Sequence, residues 1–156
     1  MNTFYGHDEN VMNIYFIGVS AAMCLGAMGS AFGTGFASQA AIGGWKKCYS
    51  NGKAAPFTMV AFAGAPLTQT IYGYLLSTFI VNNDHAGDAL GLAVGVLGGL
   101  AIGLSALFQG KAAAAGCDSL AETGKGTANY FVVVGVIETV ALFALIFGML
   151  ILQTDF

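Results

Sequence analysis

Glu138 is the only ordinarily charged side chain between Asn129 and Asp155. The run that holds it, Tyr130 to Leu152, is otherwise apolar and long enough to cross a bilayer, which takes ~20 residues. A carboxylate at membrane depth costs several kcal/mol, roughly 2.5–3.5 on insertion scales. It therefore requires a partner, a proton or a cation.

The rest of the chain is just as apolar. Of its 156 residues 56% are hydrophobic and 8% are charged, with a mean hydropathy of +0.74. A soluble domain carries about 25% charged residues, so this chain could not cover a water-facing surface. All five basic residues are lysines, leaving no arginine to clamp phosphates, and no nucleic-acid partner is expected. There is no Walker lysine motif, and glycine-rich pieces such as Gly33-Thr-Gly35 lie inside apolar stretches. Any nucleotide chemistry must come from partners. Cys24, Cys48 and Cys117 are odd in number and widely spaced, which excludes a zinc or disulfide framework. Cys24 is expected in helix packing and the other two near the membrane edge. Residues 1–10 lack a positive segment and carry Asp8 and Glu9, so no signal-peptide cleavage is expected.

Four apolar stretches, at about 11–42, 54–81, 89–115 and 128–152, each exceed the spanning length. Polar joints separate them: Trp45 to Lys53, Asn82 to Asp88, and Cys117 to Gly126. Lys46, Lys47 and Lys53 sit in the first joint, Lys111 precedes the third, and Lys125 lies near its end. The middle joint and both tails hold only acidic charge, in Asp8, Glu9, Asp84, Asp88 and Asp155, with His7 and His85 beside it. The positive-inside rule puts joints one and three in the cytoplasm and both termini outside a cell membrane.

The two halves echo each other. Ser30-Ala31 and Gly35-Phe-Ala37 match Ser105-Ala106 and Gly110-Lys-Ala112 at an offset of 75 residues, and Gln69-Thr70 matches Glu138-Thr139 at an offset of 69. The expected architecture is an all-α membrane protein of four transmembrane helices, two tandem-duplicated hairpins at 1–81 and 82–156. Small residues recur every fourth position in the odd-numbered helices: Ala22, Gly26, Ser30 and Thr34, then Gly91, Gly95, Gly99 and Gly103. Such stripes allow close backbone approach and suit the crowded inner wall of a ring. Helices two and four carry the bulk, including Tyr72, Tyr74, Phe79, Leu142, Phe143 and Phe147, which are expected to face lipid or a neighbouring subunit.

Polar groups that could meet Glu138 lie on the other helices. Thr68, Gln69 and Tyr72 share one face of the second, at i, i+1 and i+4. Pro66 bends that helix and leaves the Phe62 carbonyl without its usual donor. Gln109 comes from the third helix. A proton needs one carboxyl group, whereas a dehydrated hard cation needs several oxygens from different groups. One negative charge suits a monovalent ion, which favours sodium over calcium or magnesium.

With those residues in view, the chain resembles the duplicated proteolipid of V-type ATPases, the membrane rotor-ring subunit, and most of all its bacterial sodium-pumping form, the K subunit. The resemblance spans all four helices and is most specific in Pro66-Leu-Thr-Gln-Thr-Ile-Tyr-Gly73, Phe108-Gln-Gly-Lys-Ala-Ala-Ala-Ala-Gly116 and Val136-Ile-Glu-Thr139. It implies a non-catalytic subunit whose identical copies form a ring in the lipid. That ring turns against a static membrane subunit and meets central-stalk subunits at the cytoplasmic loops. It implies that Glu138 carries Na+, that Thr68, Gln69, Gln109 and the Ala65 carbonyl are further ligands, and that Tyr72 holds the carboxylate by a hydrogen bond. No organic cofactor is implied. The same rotor carrying protons, a small four-helix secondary transporter and a structural junction protein are the competing readings.

Overall fold

In hydrocarbon every backbone N–H and C=O must be paired within the segment, so apolar spans of this kind fold as helices. The computed structural model describes residues 9–83 and 88–154. Three of its helices are long and apolar enough to cross a membrane. They are α1 (Glu9–Ser50), α4 (Asp88–Thr123) and α5 (Thr127–Leu152). The second apolar stretch is a helical path broken in the middle. It comprises α2 (Met59–Gly64), a 3-10 turn (Ala65–Leu67) and α3 (Thr68–Val81). Pro66 sits in the first turn of that 3-10 segment, where its missing N–H and fixed φ forbid the α-helical bond. The charges expected in the N-terminal tail and middle joint, with His7, His85 and Asp155, fall outside the described residues or at their edge.

Two polar joints turn out to be largely helical. The 42-residue α1 runs through Trp45, Lys46 and Lys47, and the 36-residue α4 continues past Cys117 to Thr123. At 1.5 Å per residue they measure about 63 and 54 Å, well beyond a ~30 Å hydrocarbon core. Polar residues therefore mark where these helices leave the apolar layer rather than where they stop. At that projecting end Lys47 pairs with Glu122 at 2.5 Å, and the Lys53 ammonium reaches the Glu122 carbonyl. The pairing raises the Lys47 pKa and lowers that of Glu122 through their mutual hydrogen bond.

Within the chain α1 and α4 run parallel and touch backbone to backbone. A Cβ built on Gly29 would strike the backbone of Gly103, one on Gly95 that of Gly18, and one on Gly110 that of Gly33. The glycine stripe of α4 thus packs against the backbone of α1 inside one chain. The stripe Ala22, Gly26 and Ser30 likewise lies buried, with Gly26 and Ala22 against the backbone at Gln69 and Gly73 of α3. Cys24, expected in helix packing, is instead exposed, while Cys48 and Cys117 are buried. The bulk of α3 and α5 divides. Tyr74, Phe143 and Phe147 are exposed, whereas Leu76 and Leu145 are buried.

The packing forms two apolar clusters. One, around Phe62, Met59, Ala41, Cys117 and Val134, occupies the end with the Lys47–Glu122 pair. The other, around Leu76, Ile80, Ile102 and Leu145, occupies the opposite end. Between them in chain order lie Gln69, Gln109 and Glu138.

Candidate functional site

Glu138 lies in the twelfth position of α5, about 17 Å along the helix from Thr127. It is only half-buried from its own chain. Both carboxylate oxygens are engaged. The Tyr72 hydroxyl donates to Oε1 at 2.8 Å, and the Gln109 Nε2 donates to Oε2 at 3.3 Å. Tyr72 reaches it because α3 packs antiparallel to α1 and alongside α5, so one turn beyond the Pro66 break faces α5.

From Gln109 the network runs inward. Its Nε2 also donates to the Val134 carbonyl at 3.1 Å, and its Oε1 accepts from Gln69 Nε2 at 2.8 Å. Both amides are completely buried. Gln69 Oε1 in turn accepts from the Thr68 hydroxyl at 3.1 Å, and the same hydroxyl contacts the Ala65 carbonyl at 3.1 Å. That carbonyl also receives the backbone N–H of Thr68, closing the 3-10 turn. The Pro66 break thus turns the Ala65 oxygen toward the hydroxyl of Thr68.

Every sequence-predicted site residue therefore belongs to one connected chain: Ala65, Thr68, Gln69, Gln109, Glu138 and Tyr72. The carboxylate itself is touched by the Tyr72 hydroxyl and the Gln109 N–H, and the remaining oxygens follow along the chain of hydrogen bonds through Gln69 and Thr68 to Ala65. A buried polar network survives in an apolar layer only when its members are satisfied, and here each amide has a partner for both its oxygen and its nitrogen. Among the described residues no group of three or more His, Cys, Asp or Glu side chains forms a metal cluster. The donor set is amide, hydroxyl and carbonyl oxygen with one carboxylate, which is hard-cation chemistry of low charge.

One neighbour was not assigned a role from sequence. Ser105, buried on α4, donates to the Ile137 carbonyl at 2.8 Å and so ties α4 to α5 one residue before Glu138. Its place one turn before Gln109 on the same face was the available signal. Its counterpart on α1, Ser30, is also buried, but its hydroxyl has no hydrogen-bond partner among the described residues, and the same holds for Thr34 Oγ1.

The fold and site define an integral membrane helical bundle with a half-buried carboxylate hydrogen-bonded to Tyr72 and Gln109. Residues 92–151 match the family model of the ATP synthase C subunit. The matched segment takes in most of α4 and α5, hence Gln109 and Glu138, and leaves out Thr68, Gln69 and Tyr72. No curated protein matches the chain.

Proposed function

We propose that this protein is a rotor-ring subunit of a V-type ATPase and carries one sodium ion per copy across the membrane on Glu138. The observation that carries the reading is the carboxylate at membrane depth, held at both oxygens by Tyr72 and Gln109 and linked through Gln69 and Thr68 to the Ala65 carbonyl. The similarity of residues 92–151 to the ATP synthase C subunit supports a c-type ring protein, non-catalytic by itself. The choice of sodium rests on the oxygen count, because proton carriage gives no reason for two buried amides and a hydroxyl beside the acid.

The mechanism follows from charge balance. An ionised Glu138 facing lipid is too costly to persist, whereas a carboxylate neutralised by sodium is tolerable. With sodium bound, Gln109 would present its amide oxygen to the ion rather than its N–H to the carboxylate, while Tyr72 keeps its bond to Oε1 and holds the carboxylate in place. Thr68, Gln69 and the Ala65 carbonyl supply the remaining ligands. Against a static membrane subunit, water and a basic side chain replace the sodium and release it. ATP hydrolysis in partner subunits drives the turning. The end bearing Lys47, Lys53 and Glu122 faces the cytoplasm and meets the central stalk, and both termini lie on the far side.

The experiment is carbodiimide modification of Glu138 in membranes, with and without sodium chloride. Sodium should protect the carboxyl, and Glu138→Gln should abolish both labelling and ATP-driven sodium uptake while the oligomer still assembles. Labelling that ignores sodium but falls with rising pH would assign the same rotor to protons. Normal sodium uptake by Glu138→Gln would overturn ion carriage on this residue.

A further inference from the structure

The internal repeat gives each half of the chain polar residues at matching positions on its first helix. At an offset of 75 residues Ser30 answers to Ser105 and Thr34 to Gln109, and at an offset of 69 Gln69 answers to Glu138. In the second half both side chains reach across to α5. Ser105 donates to the Ile137 carbonyl at 2.8 Å, and Gln109 donates to the Val134 carbonyl at 3.1 Å. The 69-residue offset carries those two acceptors back to Thr68 and Ala65. Packing agrees with the arithmetic. A Cβ on Gly26 would stand 3.0 Å from the Gln69 carbonyl, and one on Gly33 2.9 Å from Pro66 Cβ. Ser30 lies one turn beyond Gly26 and Thr34 adjoins Gly33, so both stand against the segment from Ala65 to Gln69.

In the first half the reach fails. Ser30 is 1% exposed, yet neither its hydroxyl nor that of Thr34 has a hydrogen-bond partner among the described residues, and both oxygens are shut off from solvent. Buried hydroxyls left unpaired are costly. The shortfall has a simple cause at Thr34, whose hydroxyl is one bond beyond Cβ, whereas the Gln109 nitrogen is three. A water molecule makes up that length. Gln69 stands where the second half has Glu138, so the position offers no negative charge and suits a neutral ligand rather than a second ion.

We propose that Ser30 and Thr34 hold one buried water molecule, which donates to the Ala65 carbonyl and takes the place that the Gln109 amide fills in the second half. Side chains one helical turn apart have Cβ atoms about 5–6 Å from each other, a span that a single water bridges. The Ala65 carbonyl gives the water a third partner, and about three is usual for a buried water. That carbonyl has room to accept. It receives the Thr68 N–H, while the Thr68 hydroxyl has a single proton to divide between it and Gln69 Oε1. Bound there, the water brings α1 into the hydrogen-bonded chain that runs to Glu138 and holds the Ala65 oxygen at the helix break. The water stands on the repeat and the two hydroxyls alone; its effect on ion binding rests on the proposed function.

The test is an electron-microscopy map of the full-length protein in detergent, at a resolution that shows waters, read together with its thermal midpoint. The wild type is expected to show density between the oxygens of Ser30, Thr34 and Ala65. Thr34→Val keeps the volume and removes the hydroxyl, so the density should vanish and the midpoint fall by about 2–4 °C. Thr34→Ser keeps the hydroxyl and should keep the density. Were the hydroxyl simply unpaired, Thr34→Val would raise the midpoint, because removing a buried orphan group is favourable. A raised midpoint overturns the water, as does a map with both hydroxyls turned onto their own helix carbonyls and nothing between them. If Thr34→Val does not fold, Ser30→Ala is read by the same two measurements. For the site, Thr34→Val should raise severalfold the sodium concentration that half-protects Glu138 from carbodiimide. An unchanged value overturns the link between the water and the ion. Wild-type labelling that sodium does not affect refutes the sodium reading instead, while the map still decides the water.

Discussion

Gln109 joins the inner half of the site to the carboxylate, so replacing it with a residue of similar volume removes chemistry while keeping packing. Gln109→Leu takes away the acceptor of Gln69 Nε2 at 2.8 Å and the donors to Val134 and to Glu138 Oε2. Its side chain is completely buried, so water cannot replace these partners. A hydrogen bond or ligand interaction with a charged group is worth about 1.5–3 kcal/mol. If Gln109 is a ligand of the proposed sodium site, its loss should therefore weaken sodium binding by roughly 10- to 150-fold, since 1.4 kcal/mol is tenfold. The assay is the sodium concentration that half-protects Glu138 from carbodiimide, measured alongside labelling without sodium. Labelling without sodium should persist, because the acid itself remains. Half-protection at the wild-type sodium concentration, in a variant that still assembles, would refute Gln109 as an ion ligand. Loss of labelling without sodium would mean that Gln109 positions the acid rather than the ion.

Tyr72→Phe removes the 2.8 Å donor to Glu138 Oε1 and keeps the ring in place. It should lower sodium affinity about tenfold or more by the same bond strength, measured by the same protection assay, with assembly unchanged. Gly29→Val puts a branched side chain where the Gly103 backbone already lies. Overpacking of about 1–3 kcal/mol or more should lower the unfolding midpoint in detergent by several degrees or block folding. A wild-type midpoint would mean that α1 and α4 are not so close. The Lys47–Glu122 pair is present above the ordinary carboxylate range, because Glu122 has a lowered pKa, and below the ordinary lysine range, because Lys47 has a raised one. Its contribution is lost as pH falls through the Glu122 titration or rises through that of Lys47. Being exposed, the pair is weak and salt-screened. Glu122→Gln should leave the midpoint at neutral pH and physiological salt nearly unchanged, and a large drop would show a buried role for the pair.

Much of the candidate site was legible before any fold was known, because few arrangements tolerate a carboxylate in hydrocarbon. Glu138 demands compensation, and Thr68, Gln69, Tyr72 and Gln109 supply polar groups for it on other helices. The structure joins them in a single hydrogen-bonded chain. Ser105 stood out in the sequence only as a repeat match and by its place one turn before Gln109, and neither assigns it a role, since a serine in an apolar helix ordinarily bonds its own backbone. Its bond to the Ile137 carbonyl depends on how closely α4 approaches α5.

What the sequence alone determines here is chemical: a membrane-dissolved chain, helical because its backbone has no other way to pair, with one acid that must be neutralised. What the tertiary structure decides is facing. In water the apolar side of a helix declares itself as the buried side, but in lipid both sides are apolar, so periodicity does not tell an inward face from an outward one. The sequence could not say that the α4 glycines are spent on α1, that Cys24 points outward, or that the lysine-bearing joint continues α1. Only the shapes of the packed surfaces, glycine against backbone and leucine against open space, separate the face already filled from the face still free.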